Sequence, residues 1–376
     1  MSLIIDIHAL QTVPPSLINR DDTGAPKTAV FGGVPRQRVS SQSWKRAIRK
    51  YFGEHFDPES IGDRSKRLPE KIAKQLVKVA GISQEDAIKR TEQLFSAVKI
   101  KTVVEKPKKG DDTEHNPWPQ TTYLIFLSPQ QIDRAVRELA ERDGQKFTKA
   151  EATAILDTNH SVDMSMFGRM VADDASFNVD AAVQVAHAIG VHASAPEFDF
   201  YTAVDDLAEQ GEETGAGMLG TVQMMSSSLY RYATINVDGL KKNLESTDAT
   251  IKAVEQFIEA FVASMPTGKI NTFANQTLPE LVFVTVRDTR PVSLVTAFED
   301  AVTATEQLDR RHVAAARLAD EARAIQDTYG FVPTSQYVLG LGDIAAPFDG
   351  LAERVTLKEL GERVAADVAT ALGDDA

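Results

Sequence analysis

The chain has 376 residues, 43% hydrophobic and 25% charged, a balance that supports a sizeable core and excludes wholesale disorder. With 41 basic against 54 acidic side chains the net charge is −13, which excludes a uniformly basic nucleic-acid coat. Cysteine is absent, so disulfides, thiolate metal sites and cysteine nucleophiles are excluded together.

The length suits roughly two domains or one elaborated domain. No apolar run approaches the roughly 18 residues of a membrane span. Asp6 and His8 interrupt the start, where a signal peptide would be continuously apolar. A cytoplasmic protein with no membrane partner is expected. The charge is unevenly spread: residues 1–110 hold 21 basic and 12 acidic side chains, a balance of +9, whereas residues 111–376 hold 20 and 42, a balance of −22. Such a basic first third on an acidic chain suits one face built for an anion.

In chain order, Leu3 to Leu10 reads as a strand rich in β-branched residues, ending at a turn that contains Pro14, Pro15 and Ser16. A long loop carries Asn19-Arg20-Asp21-Asp22 and Phe31-Gly32-Gly33. Ser40 or Ser41 then caps a helix whose apolar stripe is Trp44, Ala47, Ile48 and Tyr51. Lys45, Arg46, Arg49 and Lys50 fall largely off that stripe and predict a cationic flank.

Residues 56–180 read as a mainly helical insertion, with Ser128-Pro129 and Gln131, and Thr148 with Glu151, in capping-box spacing. Lys106 to Asp112 is a polar, breaker-containing stretch and reads as an exposed loop. Ala181 to Ile189 reads as a helix and Phe198 to Val204 as a strand. Gly211, Gly215, Gly217 and Gly220 surround Glu212 and Glu213, and Thr221 to Val237 is strand-like again. Two extended segments joined by a glycine-rich tip predict a protruding hairpin over about 196–228. Leu281 to Val286 is a further strand, and 297–327 and 356–372 are amphipathic helices. The expected fold class is α+β, with the sheet domain formed by 1–55 and 181–376.

Enzyme chemistry finds little support. His187 and His192 are five apart and straddle Gly190, a poor metal spacing. Ser226-Ser227-Ser228 lacks a nucleophile-elbow context, and no phosphate or dinucleotide loop motif occurs. Asp21-Asp22, Asp173-Asp174 and Asp205-Asp206 are carboxylate pairs that could each hold a divalent cation, although adjacent carboxylates are far more often turn or solvent-facing residues.

The ordered set Asn19-Arg20-Asp21-Asp22, Phe31-Gly32-Gly33 and Arg36 to Ala47, followed by Phe167-Gly168-Arg169-Met170, Tyr201 to Leu207 and Tyr230-Arg231-Tyr232-Ala233, resembles the CasC family, the backbone subunit of the type I-E CRISPR Cascade complex. The resemblance runs from residue 1 to about 300. It implies a palm with an RNA-recognition-like, ferredoxin-like fold, a helical fingers insertion and a thumb hairpin. It also implies a non-catalytic subunit, without cofactor or metal, that polymerises with other copies of itself along a CRISPR RNA. Other Cascade subunits are implied partners, as is the target DNA strand through the guide. By position, Arg20, Lys27, Arg38, Ser40, Gln42, Lys45 and Arg46 resemble the palm's contacts to the RNA backbone. Arg169 and Met170 resemble the element beside the guide. Phe200, Tyr201, Thr202 and Val204 resemble the thumb, and Lys269, in Gly268-Lys269-Ile270-Asn271, resembles a glycine-containing RNA loop. Arg134, Arg137, Arg142, Lys146 and Lys149, interrupted by Glu138, Glu141 and Asp143, stand where a basic helix of the fingers would meet duplex DNA. Residues of these types give sequence-independent contacts to phosphate and sugar. The alternative is a metal-dependent ribonuclease using Asp21 or Asp22, since related type III subunits cut RNA with an acidic residue of an early palm loop.

Overall fold

The structure, a computed structural model, describes residues 2–104, 116–142, 144–171, 175–203 and 218–373. A long β1 (Ile4–Ser16) leads into a hairpin of β2 (Thr28–Phe31) and β3 (Val34–Val39) and then into α1 (Ser41–His55). There follow β4 (Asp63–Ser65), α2 (Leu68–Ala80), α3 (Gln84–Ala97), β5 (Thr102–Val103), β6 (Gln120–Thr121), β7 (Ile125–Leu127), α4 (Pro129–Glu141), α5 (Lys149–Leu156) and α6 (Val162–Phe167). The chain continues through β8 (Val183–Val185), β9 (Ala188–Gly190), β10 (Glu197–Ala203), β11 (Met218–Asn236), α7 (Val237–Leu244), α8 (Thr247–Ala263) and α9 (Ile270–Phe273). It closes with β12 (Leu281–Arg287), α10 (Arg310–Tyr329), β13 (Ser335–Gly340), β14 (Glu353–Arg354) and α11 (Leu357–Gly373). The fold is mixed α+β.

These elements form two compact units. The first comprises Met1–Tyr51, Gln184–Val237 and Ile251–Ala376, and the second Phe52–Val183 with Asp238–Thr250. The sequence reading divides the chain at 55/56 and 180/181 and keeps 238–250 with the sheet; the contacts assign that segment to the second unit.

The sheet has the order β14-β13-β12-β1-β11-β9-β3-β2, with β10 and β8 also paired to β11. β1 is central, pairing Ile5 with Ile235 of β11 and with Val286 of β12. Both its faces are covered, which is why it is buried almost continuously instead of in alternation. One face carries Leu10, Tyr230 and Phe283 against Phe298 and the α10 residues Ala315 and Leu318. The other carries Val13 and Leu229 against Trp44 of α1.

Asp6 and His8 lie within this core. Asp6 accepts from Tyr232 Oη at 2.8 Å and Val292 N at 3.1 Å and pairs with Arg287 at 3.1 Å. Burial raises the Asp6 carboxyl, and these partners oppose that rise. His8, 2.9 Å from Tyr230 Oη, is pushed down to about 3 by burial and by Arg287, so it is neutral.

Three sequence expectations are corrected. β1 does not stop at a turn but runs through Pro14 and Pro15 to Ser16, with a register shift between Val13 and Ser16. Beyond Leu10 the β12 pairing has ended, so prolines that lack a donor are tolerated there. Ala181 to Ile189 is not a helix; β8 and β9 occupy it, because β11 offers ladder partners such as Tyr232 O for Ala186 N. The helix expected over 297–327 begins only at Arg310, where the Asp309 carboxylate caps the Arg311 and His312 N–H groups.

In the second unit, α2 to α5 enclose a core that includes Leu76, Phe95, Ile132 and Leu156. The Ser128/Gln131 and Thr148/Glu151 capping boxes both form. The loop Lys106 to Asp112 lies outside the described residues, as do Asp143, Asp173-Asp174, Val204, Asp205-Asp206 and the glycine-rich tip at Gly211, Gly215 and Gly217. Among the described residues, no helix is long and apolar enough to cross a membrane.

Candidate nucleic-acid interface

In the first unit, α1 carries four cations, Lys45, Arg46, Arg49 and Lys50. Trp44, Ala47 and Ile48 are buried, so the positions between them in the helical repeat face outward. Ser43, Arg46 and Lys50 make one such stripe, spaced by three and four residues. The stripe forms one wall of a cleft of about 490 Å³. Leu17 to Arg20 form a second wall and Met265 to Lys269 a third. Arg20, Arg46, Lys50 and Lys269, all exposed, thus converge on one space from three separate stretches of chain.

The walls are fixed by main-chain chemistry. Asn19 Oδ1 accepts from Ser40 N at 2.8 Å, tying the Arg20 loop to the start of α1. The Asp21 carboxylate closes the same loop, accepting from Thr23 Oγ1 at 2.7 Å, Thr23 N at 2.9 Å and Ala25 N at 3.1 Å. The Thr23 hydroxyl above all, with backbone donors, lowers its pKa. Gly268 is required by close approach: a Cβ there would lie 2.3 Å from Ile18 O and 2.8 Å from Leu17 O. Lys269 follows with a left-handed φ of 50°. That conformation is unfavourable for a side-chain-bearing residue by roughly 1–2 kcal/mol.

At the N-terminal end of α1 a second basic group forms. Arg38 Nη1 lies 3.2 Å from His187 Nδ1, which also accepts from Ser41 N at 3.3 Å. Lys27 is held nearby by its N–H to Asn19 O and by its carbonyl, which accepts from Arg38 N. Burial, then Arg38 and Lys27, lowers the His187 pKa, leaving a neutral imidazole as acceptor between two cations. Lys45 is half-buried on α1, and desolvation lowers its pKa.

The remaining sequence-predicted residues fall elsewhere. The Ser40 side chain is buried at the start of α1 and Gln42 is exposed beyond it. Arg169 is 5% exposed inside the second unit. Its guanidinium donates to the carbonyls of Phe177, Phe126 and Leu156 and pairs with Asp157. Its guanidinium is thus engaged within the protein, whereas the neighbouring Met170 is 80% exposed. Arg142 is likewise engaged, with Glu138 and Glu151.

β10 and β11 pair from Glu197↔Met224 to Ala203↔Met218, so the hairpin arms form a ribbon. Phe198 and Phe200 are 70% and 65% exposed on one side, with Thr202, and Tyr201 is exposed on the other. The Tyr201 ring covers Gly220 directly across the ribbon, where a Cβ would meet it at 2.4 Å.

Phe31-Gly32-Gly33 is structural. Gly32, at φ +58°, seats the β2–β3 turn against Glu299 O, which a Cβ would meet at 1.6 Å, and Arg36 donates to the carbonyls of Phe31, Gly190, Phe298 and Glu299. Lys50 belongs to the cleft but is not among the contacts the resemblance carried over. Its place four residues after Arg46 was the available signal.

Chemically, the cleft can neutralise neighbouring phosphates by several side chains, a contact that carries no sequence information. Among the described residues, no three His, Asp or Glu side chains gather as metal ligands.

The whole chain has counterparts of known structure. One solved chain, described as "CRISPR RNA-guided surveillance complex, pre-nicking", is 34% identical with a TM-score of 0.83. The match covers 97% of this chain and 100% of that one. A second, "CRISPR RNA-guided surveillance complex", is 31% identical with a TM-score of 0.70, covering 97% and 99%. The CT1975-like protein family matches residues 5–363, and the chain belongs to that family. No curated protein sequence matches it.

Proposed function

We propose that this chain is an RNA-binding subunit of a CRISPR RNA-guided surveillance complex. The observation that carries the reading is the convergence of Arg20, Arg46, Lys50 and Lys269 on one cleft, in a chain that matches such complexes over 97% of its length. In finer terms it is the non-catalytic backbone subunit of a type I-E, Cascade-like complex, with an RNA-recognition-like palm. Copies polymerise along the guide, grip phosphate and sugar, and leave spacer bases free to pair with target DNA. The cleft's chemistry supports this, because a subunit serving every spacer must bind without reading sequence. Lys27 and Arg38 extend the grip along α1. Met170 and the aromatic ribbon, exposed apolar groups of the kind that stack on bases, supply the contacts that displace a base. Asp21 is committed to closing its loop, which counts against a ribonuclease centred there.

The test is purification followed by absorbance and RNA sizing. A subunit of this kind carries cellular RNA and binds unrelated guide-length RNAs with similar affinity. A protein that purifies free of nucleic acid and ignores RNA at low salt would refute the reading.

A further inference from the structure

The cleft has a cation behind it that no phosphate can reach. Arg231 stands on β11 opposite Ala9 of β1 and is 2% exposed. Its guanidinium is sandwiched between aromatic rings, 3.8 Å from the Trp44 ring centre and 4.3 Å from that of Phe261. Nη1 donates to Gln11 Oε1 at 2.6 Å and Nη2 to the Phe261 carbonyl, while Nε has no acceptor. Among the described residues, no carboxylate pairs with it. The other deeply buried arginines are better compensated: Arg287 faces Asp6, Arg169 faces Asp157, and Arg36 donates to four carbonyls.

Burying a charge without a counter-ion is costly, and a fold that needed only volume here could use methionine. Burial draws the guanidinium down to about 9, which still leaves it charged at neutral pH. Two links join it to the cleft. Trp44 follows Ser43, which lines the cleft, and Gln11 Nε2 lies 3.9 Å from Sδ of Met265, which lines it too. The layer between is side chain instead of solvent, so salt screens this charge far less than it screens Arg46 or Lys50.

We propose that Arg231 is a buried electrostatic determinant of the cleft, a cation whose missing counter-charge is supplied by bound RNA phosphates that it never touches. The inference rests on the proposed RNA-binding function and adds to it a source of affinity that resists salt. Direct contacts release counterions and set the slope of affinity against salt, whereas a charge behind the wall shifts affinity at every salt concentration and leaves the slope alone.

The experiment is a salt titration of a fluorescein-labelled oligouridine against the full chain, with a thermal melt of every variant. Arg231→Met is expected to weaken binding by about tenfold with an unchanged slope, and Arg231→Lys to stay within about twofold of wild type. Gln11→Glu sets a carboxylate against the intact arginine and is expected to weaken binding by about the same tenfold. If Arg231→Met does not fold, Gln11→Glu decides. Folded Met and Glu variants with wild-type affinity would overturn the proposal, as would a slope that falls by about 0.7, the signature of a lost direct contact to a single strand. Wild-type protein that ignores the oligouridine defeats the proposed function itself, and this inference with it.

Discussion

Removing the cleft's exposed cations makes a quantitative test of the interface. Arg46→Ala, Lys50→Ala and Lys269→Ala each delete one side chain from the cleft wall without touching the core below, where Trp44, Ala47 and Ile48 remain. For a single strand the slope of log K against log salt is about −0.7 per phosphate neutralised. At about 0.1 M salt each contact therefore contributes about 0.7 log units, or about 1 kcal/mol. The triple variant should lose about 100-fold in affinity there, about 3 kcal/mol, and about two units of slope, with the deficit shrinking towards nothing near 1 M. Lys358 of α11, exposed and 3.7 Å from Glu362, serves as the control: Lys358→Ala changes net charge as much as any one of the three substitutions and should leave slope and affinity alone. Fluorescence anisotropy on two RNAs of unrelated sequence reads all of this, and both RNAs should respond alike. A triple variant with a wild-type slope, or one that discriminates between the two sequences, would refute a backbone-gripping cleft.

Gly268→Ala should destabilise the protein by about 1–3 kcal/mol, because the loop must retreat from Ile18 O to restore ordinary contact, and RNA affinity should fall with Lys269 still present; a melt and an anisotropy titration check both. Magnesium or manganese should elicit no RNA cleavage; cleavage abolished by Asp22→Ala would favour the ribonuclease alternative. Replacing 198–223 by a short Gly-Ser turn should leave a cooperative melt but no ordered filaments on RNA by electron microscopy. The cut stops at 223 because Met225, Ser227 and Leu229 beyond it are buried. His312, held between Asp309 at 2.8 Å and Asp343 at 3.1 Å, has its pKa raised, first by Asp309. Its stabilising effect is therefore fully present below the unfolded value near 6.5 and is lost as pH rises through the folded value. His312→Gln should lower Tm more at pH 6 than at pH 8.5.

What was legible in the sequence is what local chemistry decides. The α1 stripe, both capping boxes and the β12 segment are written in residue spacing and hold in the structure. Two of the misreadings share one cause, a partner distant in sequence. Ala181 to Ile189 is alanine-rich enough to suit a helix, yet β11 offers it a ladder. Pro14 and Pro15 read as a stop until one sees that β12 has already ended alongside them. The cleft is half legible: the sequence offers Arg20, Arg46 and Lys269 singly, but their convergence depends on Gly268 packing against Ile18, some 250 residues away in the chain. The partners of Arg169 were not legible either, since Phe126 and Leu156, whose carbonyls its guanidinium reaches, lie 43 and 13 residues away in the chain.

The charge distribution acquires a physical meaning from this geometry. A chain of net charge −13 repels a polyanion at long range, and it can hold one only where local cations lie within about a Debye length, 8–10 Å, of its phosphates. The four cleft side chains meet that condition because three chain segments bring them to one space. On the proposed reading the acidic remainder is then useful, since it denies RNA any other resting place and keeps the guide in one register. A uniformly basic subunit would bind as tightly and far less selectively, coating any nucleic acid it met. Neutralising part of the acidic surface should therefore raise total RNA uptake while blurring the site size per subunit, whereas neutralising the cleft lowers uptake outright.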